Sequence, residues 1–364
     1  GVPAHVPVQS FRPWSPEHPT LYPFSVTLGD DTVYSYFAMR KCSVETDKDG
    51  VRRLFLNGKP YFHNGLLDQG YWPDGLYTAP SDDALVYDIQ LAKDMGFNML
   101  RKHIKVECDR WYYHCDRLGM LVWQDMVNGG SAYKHWFVTY LATLMNWNHI
   151  SFSDDEKHAG LLSRLHPEGK DEFRREITET IAFLYNHPSI VVWVPFNEGW
   201  GQFDALAVCE QIRTLDSSRL VDHASGWFDQ KGGDILSLHY YFLKLKFKPE
   251  SKRAAALTEF GGYSLSIPGH SCCKKVYGYK KFNSTGTLTY GYIDLIRQTI
   301  LPAVKKGIGA TVYTQLSDIE EETNGIYTYD REICKIDPDT LRKWNRALKE
   351  AGECKTYADH TTDH

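Results

Sequence analysis

The feature that most constrains the fold is the regular alternation, from residue 54 onwards, of short apolar segments with segments of helical periodicity. Such alternation is typical of α/β proteins with a parallel sheet and right-handed helical crossovers. The predicted strands span residues 61–67, 97–101, 120–124, 190–196, 219–222, 235–238, 255–258 and 310–315. Eight strands favour a (β/α)8 TIM barrel. The alternative is an open doubly wound sheet, but no glycine-rich phosphate loop follows an early strand here.

Residues 1–53 have a different pattern, which predicts β-structure. Residues 20–28 and 32–39 are two predicted strands, joined by the turn Gly29-Asp30-Asp31. Two or three strands are too few for a stable sandwich. We therefore expect this segment to be either a remnant of a larger β-domain or a small layer of strands that packs against the barrel. The predicted divisions are a β segment at 1–53, the barrel at 54–352 and a tail at 353–364.

Composition and charge argue against several classes of function. The 364 residues include 41 Lys and Arg and 46 Asp and Glu, which gives a net charge of −5. No basic block stands out, so a nucleic-acid partner is not expected. No apolar run approaches the ~20 residues that cross a bilayer. The cysteines and histidines have no metal-site spacing, so neither a metal nor another cofactor is expected. A cytoplasmic location is favoured, and self-association is compatible with the sequence.

Reactions in (β/α)8 barrels occur at the C-terminal ends of the strands. Polar and aromatic side chains lie at or just after the predicted strand ends. They include Asp68, Arg101, Lys102, His103, Gln124, Asp125, Asn197, Glu198, His239, Tyr240, Glu259, Gln315 and Asp318. Glu198 and Glu259 stand out, because glycoside hydrolysis needs one protonated and one ionised carboxyl group across the scissile bond. They follow strands four and seven, which lie across the barrel mouth from each other, so their side chains can converge.

The segments that contain these glutamates resemble glycoside hydrolase family two, which includes β-galactosidases, β-glucuronidases and β-mannosidases. The sequence HPSIVVWVPFNE, which ends at Glu198, is similar to the family's acid/base segment, and LTEFG at 257–261 is similar to its nucleophile segment. Further matches lie at 57–60, 96–101 and 115–119. Residues 14–22 resemble the last strands of the immunoglobulin-like domain that precedes the family's barrel, so the resemblance covers nearly the whole chain.

The resemblance implies a role for several residues. Glu198 would be the acid/base and Glu259 the nucleophile. Asn197 would hydrogen-bond the sugar 2-hydroxyl, Arg101 would brace the nucleophile, and Tyr240 would lie beside it. The other expected substrate-binding residues are Asp68, His103, Asp125, Tyr313 and Gln315.

Departures from the family pattern concern the substrate. Ile104 occupies the position of a sugar-contacting histidine, so His103 does not simply inherit that role, and Tyr313 stands where strand eight usually ends in Trp. β-Glucuronidases carry Asn-x-Lys before a Gly-Ile segment to bind the substrate carboxylate. This chain instead reads Glu-Glu-Thr-Asn at 321–324, which would repel a carboxylate. Trp-Gln-Asp-Met at 123–126 is similar to a β-mannosidase segment.

Together these observations predict a retaining exo-β-glycosidase that releases a neutral β-linked sugar through a covalent intermediate. A β-galactoside is the first expectation and a β-mannoside the alternative. An inactive carbohydrate-binding relative and a transglycosylase are rival hypotheses. The galactose-binding-like sandwich and most of the immunoglobulin-like domain, which precede the barrel in the family, are not in this sequence. We therefore expect the N-terminal domains of a longer parent chain as partners.

Overall fold

A computed structural model describes residues 6–353 except 149, 151, 242 and 243. Its centre is one sheet of eight parallel strands, here β1–β8 in chain order: His63–Asp68, Met99–Lys102, Leu121–Asp125, Ile190–Val194, Leu220–Val221, Ile235–Tyr240, Ala254–Gly261 and Ile308–Thr314. Neighbours in chain order pair with each other, and β8 pairs with β1, so the sheet curves into a nearly closed barrel. The exception is the pair β5 and β6, which are consecutive in the chain but have no hydrogen-bonded ladder between them in the described part of the sheet. The predicted (β/α)8 barrel is confirmed.

Helices cover the outside of the barrel and form part of the long connection after β3. They span Asp82–Asp94, Asp109–Leu118, Ala142–Trp147, Pro167–Leu184, Ala205–Leu215, Thr285–Leu295, Leu301–Lys305 and Pro338–Gly352, with π-helical turns at Trp136–Leu141 and Ile296–Ile300. The first begins where the Ser81 hydroxyl accepts from the Ala84 N–H, and the second ends at Gly119, whose φ of 73° favours glycine. The connections from β5 to β6 and from β6 to β7, residues 222–234 and 241–253, are loops without a helix in their described parts. None of the described helices combines the length and apolarity that a membrane span requires.

Side chains along each strand alternate between the barrel interior and the layer under the helices. In β2, Met99 and Arg101 face inwards, whereas Leu100 packs in the outer apolar layer. This period of two follows from the pleat of the strand. It decides which residues near a strand end can reach the mouth of the barrel, because only the inward-facing set points there.

The N-terminal segment forms a hairpin and a floor for the barrel. Tyr22–Leu28 and Asp31–Phe37 pair antiparallel, as predicted for residues 20–28 and 32–39, and both strands are largely exposed. Cys42–Thr46, Arg52–Leu56 and Lys59–Pro60 form a second sheet. From it, the buried Leu54 and Leu56 enter the apolar cluster that fills the barrel interior. The division proposed at residues 53 and 54 thus falls within a strand, and residues 354–364 of the proposed tail lie outside the described residues.

A long connection follows β3, at the C-terminal end of the barrel. Its residues 136–147 are helical, and it builds a small apolar cluster of its own with the loop after β5. Phe137 of this connection stacks on Phe228 of that loop with ring centroids 5.6 Å apart. The connection therefore forms part of the rim around the mouth.

The packing of Leu54 generates a stability prediction. Its side chain is 1% exposed inside the barrel floor, so Leu54→Ala should leave a cavity and lower the free energy of unfolding by about 2–5 kcal/mol. The matched control is Val26→Ala in the exposed hairpin, where the side chain is 59% exposed and the change should be within about 0.5 kcal/mol. Urea denaturation measures both. Equal midpoints for the two variants would show that the segment does not close the barrel.

Candidate active site

The buried guanidinium of Arg101 lies at the centre of the barrel mouth. It donates to both carboxylate oxygens of Asp125 at 2.9 and 3.1 Å and to Asn197 Oδ1 at 2.9 Å. It also donates to the Thr258 carbonyl at 3.0 Å and to Glu259 Oε1 at 3.2 Å. These five bonds match the five N–H donors of an arginine. The predicted contact between Arg101 and Glu259 is therefore present in the structure.

Glu259 points into the mouth because of an irregularity in β7. The register with β6 shifts between Leu238 and His239, so that Thr258 and Glu259 both face the interior. Strict alternation would have turned one of them outwards. Glu259 is 4% exposed, and its Oε2 accepts from the Tyr241 hydroxyl at 2.5 Å. Burial, followed by the charge of Glu259, holds the pKa of Tyr241 well above its usual value, so this hydroxyl remains a donor.

The prediction that Tyr240 lies beside Glu259 is wrong by one residue. β6 extends to Tyr240, and its alternation is regular: Ser237 and His239 face inwards, whereas Leu238 and Tyr240 pack against the outer apolar layer. Tyr241 is the next inward position. Because the predicted strand ended at residue 238, the sequence did not fix which of the following residues face into the barrel.

Glu198 faces Glu259 from the end of the β4 segment. Its backbone has a φ of 51°, in the left-handed region that residues with a side chain rarely adopt. The side chain is 31% exposed, and its Oε1 lies 2.9 Å from Nδ1 of His239. Burial raises the pKa of Glu198, and the positive charges of His103 and Arg101 only partly offset this. Burial thus favours the protonated form of Glu198.

His239 connects Glu198 to a polar network inside the barrel. Burial lowers its pKa to about 4, so the imidazole is neutral near pH 7. Its Nε2 lies 3.1 Å from the Ser225 hydroxyl, which is 3.3 Å from the Ser237 hydroxyl. Ser237 in turn donates to Asp222 at 3.0 Å. Although His239 was recognised at a strand end, it was missing from the predicted site residues, as was Tyr241.

Asp125 and His103 lie behind the glutamates. Nδ1 of His103 is 2.9 Å from Asp125 Oδ2. Burial disfavours the imidazolium, but the bond to Asp125 and the charges of Asp125 and Glu259 outweigh burial and raise the pKa of His103. Burial would also raise the pKa of Asp125, but Arg101 and His103 bring it below its usual value. The predicted residues Arg101, His103 and Asp125 thus form one charged group.

Two predicted site residues face away from the mouth. Asp68 accepts from Lys102 at 2.6 Å and from the Gly70 N–H, and it is 3% exposed, because the preceding Leu67 takes the inward position in β1. Tyr313 packs in the outer layer against Phe260, with ring centroids 5.5 Å apart. The next residue, Thr314, is the one that faces inwards.

Gln315 is hydrogen-bonded to Glu322, which lies beside the mouth of the barrel. Its amide nitrogen donates to Glu322 Oε2 at 2.9 Å, and the amide nitrogen of Gln69 donates to the same oxygen at 3.0 Å. Burial raises the pKa of Glu322, and its two glutamine partners and the charge of His103 oppose this. The charge of Glu259 raises it further, as expected for carboxylates that share one mouth.

Two groups of described residues have donor atoms close enough to share a cation. Glu198, His239 and Glu259 form one, and His270, Asp330 and Glu332 form the other. In the first group, Arg101 already places a positive charge 3.2 Å from Glu259. The second is a surface cluster in which His270 pairs with Asp330 at 2.7 Å. Neither arrangement identifies a particular metal.

Comparison with known proteins adds to this geometry. The model of the TIM barrel domain of glycosyl hydrolases family 2 matches residues 48–300. A β-galactosidase of Leuconostoc mesenteroides is 26% identical over 375 residues, which cover 97% of this chain and 32% of the relative. A β-galactosidase of Lactococcus lactis is 28% identical over 233 residues, 62% of this chain and 20% of the relative. The chain therefore spans about a third or less of these relatives.

Solved structures show the same fold. A GH2 β-galacturonidase from Eisenbergiella tayi has a TM-score of 0.68 at 19% identity, with 94% of this chain and 60% of the other covered. A β-D-glucuronidase of Dictyoglomus thermophilum has a TM-score of 0.67 at 16% identity, with 92% and 59% covered. At such identities the likeness concerns the fold. The family match extends over most of the chain, and the chain belongs to glycosyl hydrolase family 2 through its TIM barrel domain.

Proposed function

We propose that this chain carries the active site of a retaining β-glycosidase, with Glu259 as nucleophile and Glu198 as acid/base. The observation that carries the proposal is the closeness of the two carboxyl groups. One oxygen of each, together with a nitrogen of His239, lies within 4.8 Å of the others. Retaining enzymes separate their carboxyl groups by about 5–5.5 Å, whereas inverting enzymes need about 6.5–9.5 Å to admit a water molecule.

The surroundings of the two glutamates suit different roles. Arg101 and the Tyr241 hydroxyl donate to the two oxygens of Glu259, which stabilises a negative charge there. A charged carboxylate is the form that attacks an anomeric carbon. Burial favours the protonated form of Glu198, which is the form that donates to a leaving oxygen.

The reaction then proceeds in two steps. Glu259 attacks the anomeric carbon while Glu198 gives its proton to the departing oxygen, which leaves a glycosyl ester on Glu259. Glu198, now a carboxylate, takes a proton from water as the water oxygen attacks the same carbon and frees Glu259. Two displacements restore the β configuration.

A neutral His239 can support both protonation states of Glu198. When Glu198 holds a proton, it donates to Nδ1, and the Nε2–H donates to Ser225. When Glu198 is ionised, the other tautomer donates from Nδ1, and Ser225 turns to donate to Nε2. In the second arrangement Ser225 gives up its bond to the Thr258 hydroxyl at 3.2 Å, and Glu198 keeps a hydrogen bond to Nδ1 in both of its protonation states.

Asn197 supports binding of the glycone. Arginine has no acceptor, so its bond to Arg101 must use Oδ1, and this fixes the orientation of the amide. The amide nitrogen is thereby available to donate to a sugar hydroxyl, in agreement with the role that the resemblance implies.

The proposed substrate is a neutral β-glycoside, with a β-galactoside first and a β-mannoside second. Two sequence relatives are named β-galactosidases, whereas two structural neighbours are named for uronides. Glu322 beside the mouth would oppose a substrate carboxylate. A panel of chromogenic β-galactoside, mannoside, glucoside and glucuronide tests this directly. Absence of turnover of all four would favour the rival hypothesis of an inactive sugar-binding relative.

The contact between Tyr241 and Glu259 predicts the effect of one hydroxyl. Tyr241→Phe should lower kcat about tenfold to a hundredfold, since a hydrogen bond to a charged group contributes roughly 1.5–3 kcal/mol. Tyr240→Phe is the matched control and should stay within about twofold of the parent, because its ring lies in the outer layer. Steady-state kinetics on an aryl glycoside compare them, and a larger loss in Tyr240→Phe would reverse the assignment.

The two glutamates should differ in azide rescue. Glu259→Ala should lose turnover and, with azide, give a glycosyl azide of inverted configuration, because azide attacks the substrate directly. Glu198→Ala should still form the intermediate from an activated aryl glycoside and, with azide, give a retained product. NMR of the products measures this. The same configuration from both variants would contradict the roles, and full activity in both would place the site elsewhere.

The position of Glu322 predicts substrate selection. The parent should hydrolyse a glucuronide more slowly than the neutral glycosides, and Glu322→Gln should raise kcat/KM for the glucuronide relative to the galactoside about tenfold, since it removes a like charge. Glu320→Gln, at an exposed position, is the control. A glucuronide preferred by the parent, or an equal gain in the control, would contradict the prediction.

A further inference from the structure

Two adjacent cysteines in the connection after β7 have no role in the proposed chemistry. Cys272 is exposed and Cys273 half-buried, and both thiols are free. Side chains of neighbouring residues point to opposite sides of an extended chain, but here the backbone bends at Cys272 and the two Sγ atoms lie 3.6 Å apart. These two residues are called the dithiol pair.

The surroundings of the dithiol pair suit an anionic reagent. Lys274 and Lys275 follow it directly and are exposed. Positive charge beside a thiol favours the reactive thiolate and attracts a negatively charged disulfide. Burial, followed by the bond to Cys273, raises the pKa of Cys272, and the charge of Glu320 adds to this. The scarcity of thiolate slows the first attack, and uncatalysed disulfide exchange takes minutes to hours in any case.

We propose that the dithiol pair is a modification site for a small anionic disulfide of the oxidised glutathione type, which converts the pair into a disulfide of its own. One cysteine thiolate attacks the reagent, forms a mixed disulfide and releases one glutathione thiolate. The neighbouring cysteine, as its thiolate, attacks the cysteine sulfur of the mixed disulfide and releases the second glutathione. The chain thus loses two hydrogens, and one oxidised glutathione becomes two reduced ones.

The positions of the two sulfurs favour ring closure over a lasting mixed disulfide. A thiol held 3.6 Å from the sulfur that it must attack acts at a high effective concentration. The product is easily reduced, because adjacent Cα atoms are about 3.8 Å apart, whereas disulfides normally join Cα atoms about 4.4–6.8 Å apart. Strained and exposed disulfides belong to the labile, regulatory class. The modification is therefore reversible.

Anchors on both sides of the dithiol pair confine the effect of closure. Before the pair, the imidazole of His270 lies 2.7 Å from an oxygen of Asp330. After the pair, the carbonyl of Tyr277 accepts from the Ser264 hydroxyl at 2.8 Å. The change in backbone that closes the ring must therefore be absorbed within residues 272–276 or passed on to Tyr277.

Tyr277 leads to the surroundings of the proposed nucleophile. Two residues further along, the ring of Tyr279 stacks on that of Tyr241 with centroids 3.9 Å apart. A Cβ on Gly262 would collide with the Tyr279 ring, so this ring also packs directly on the end of β7. Because the Tyr241 hydroxyl donates to Glu259, we expect oxidation of the pair to slow turnover. The chemistry of the pair is independent of the proposed function, whereas the effect on turnover rests on it.

Mass spectrometry after exposure to oxidised glutathione tests the site. The reduced chain is incubated at several ratios of oxidised to reduced glutathione, the remaining thiols are alkylated, and the peptides are sequenced. The peptide that contains both cysteines should lose two hydrogens and carry no glutathione, and dithiothreitol should restore it. Cys272→Ser and Cys273→Ser should each keep one glutathione on the remaining cysteine. Cys108→Ser, which removes another exposed thiol, is the control and should not affect closure.

Two results would overturn the modification site. One is a mixed disulfide that persists at the pair in the unaltered chain. The other is a pair that does not react under conditions that modify Cys108.

Kinetics on an aryl β-galactoside test the effect on turnover. Oxidation should lower kcat about tenfold, the lower end of the loss expected without the Tyr241 bond. The double variant Cys272→Ser/Cys273→Ser should keep its kcat under the same treatment. An unchanged kcat in the oxidised chain, or an equal loss in the double variant, overturns the link to the mouth. If the reduced chain hydrolyses no glycoside, the proposed function fails, while the peptide masses still decide the modification site.

Discussion

The guanidinium of Arg101 joins the parts of the active site into one unit. A fully buried charge is costly unless it is paired and every donor is satisfied. Arg101 meets this condition with two oxygens of Asp125, the amide oxygen of Asn197, the Thr258 carbonyl and Glu259. These partners belong to β3, the segment after β4, and β7, and Arg101 itself to β2. A lysine could not make this set of bonds, because it lacks the planar fork of donors.

This constraint suits the proposed two-step displacement. Glu259 is fixed by Arg101 and the Tyr241 hydroxyl, so the proposed nucleophile needs little rearrangement. Glu198 is bound on one side only, through a neutral His239, and remains partly open to solvent. One carboxyl group thus accepts hydrogen bonds on both of its oxygens, while the other has a single neutral partner. One carboxyl oxygen of Glu198 lies within 4.8 Å of one carboxyl oxygen of Glu259.

Much of the fold could be predicted from the sequence, and the sequence also singled out the two glutamates that the structure brings together. Alternating apolar and helical segments gave the barrel, and two short motifs identified Glu198 and Glu259. Errors arose at strand ends, where the alternation of inward-facing and outward-facing positions decides the direction of a side chain. Tyr240 and Tyr313 were each one residue away from the inward-facing Tyr241 and Thr314. Which residues face inwards depends on where a strand ends and on irregularities such as that at Thr258, and composition reveals neither.

The most direct test of the account is to trap the covalent intermediate. A 2-deoxy-2-fluoro-β-galactosyl fluoride should inactivate the chain. The fluorine at C2 slows both formation and hydrolysis of the glycosyl ester, but the fluoride leaving group at C1 keeps formation fast enough for the ester to accumulate. Mass spectrometry after proteolysis should then find one glycosyl adduct, on the peptide that contains Glu259. An adduct on the Glu198 peptide, or rapid turnover with an inverted anomeric product seen by NMR, would contradict the mechanism.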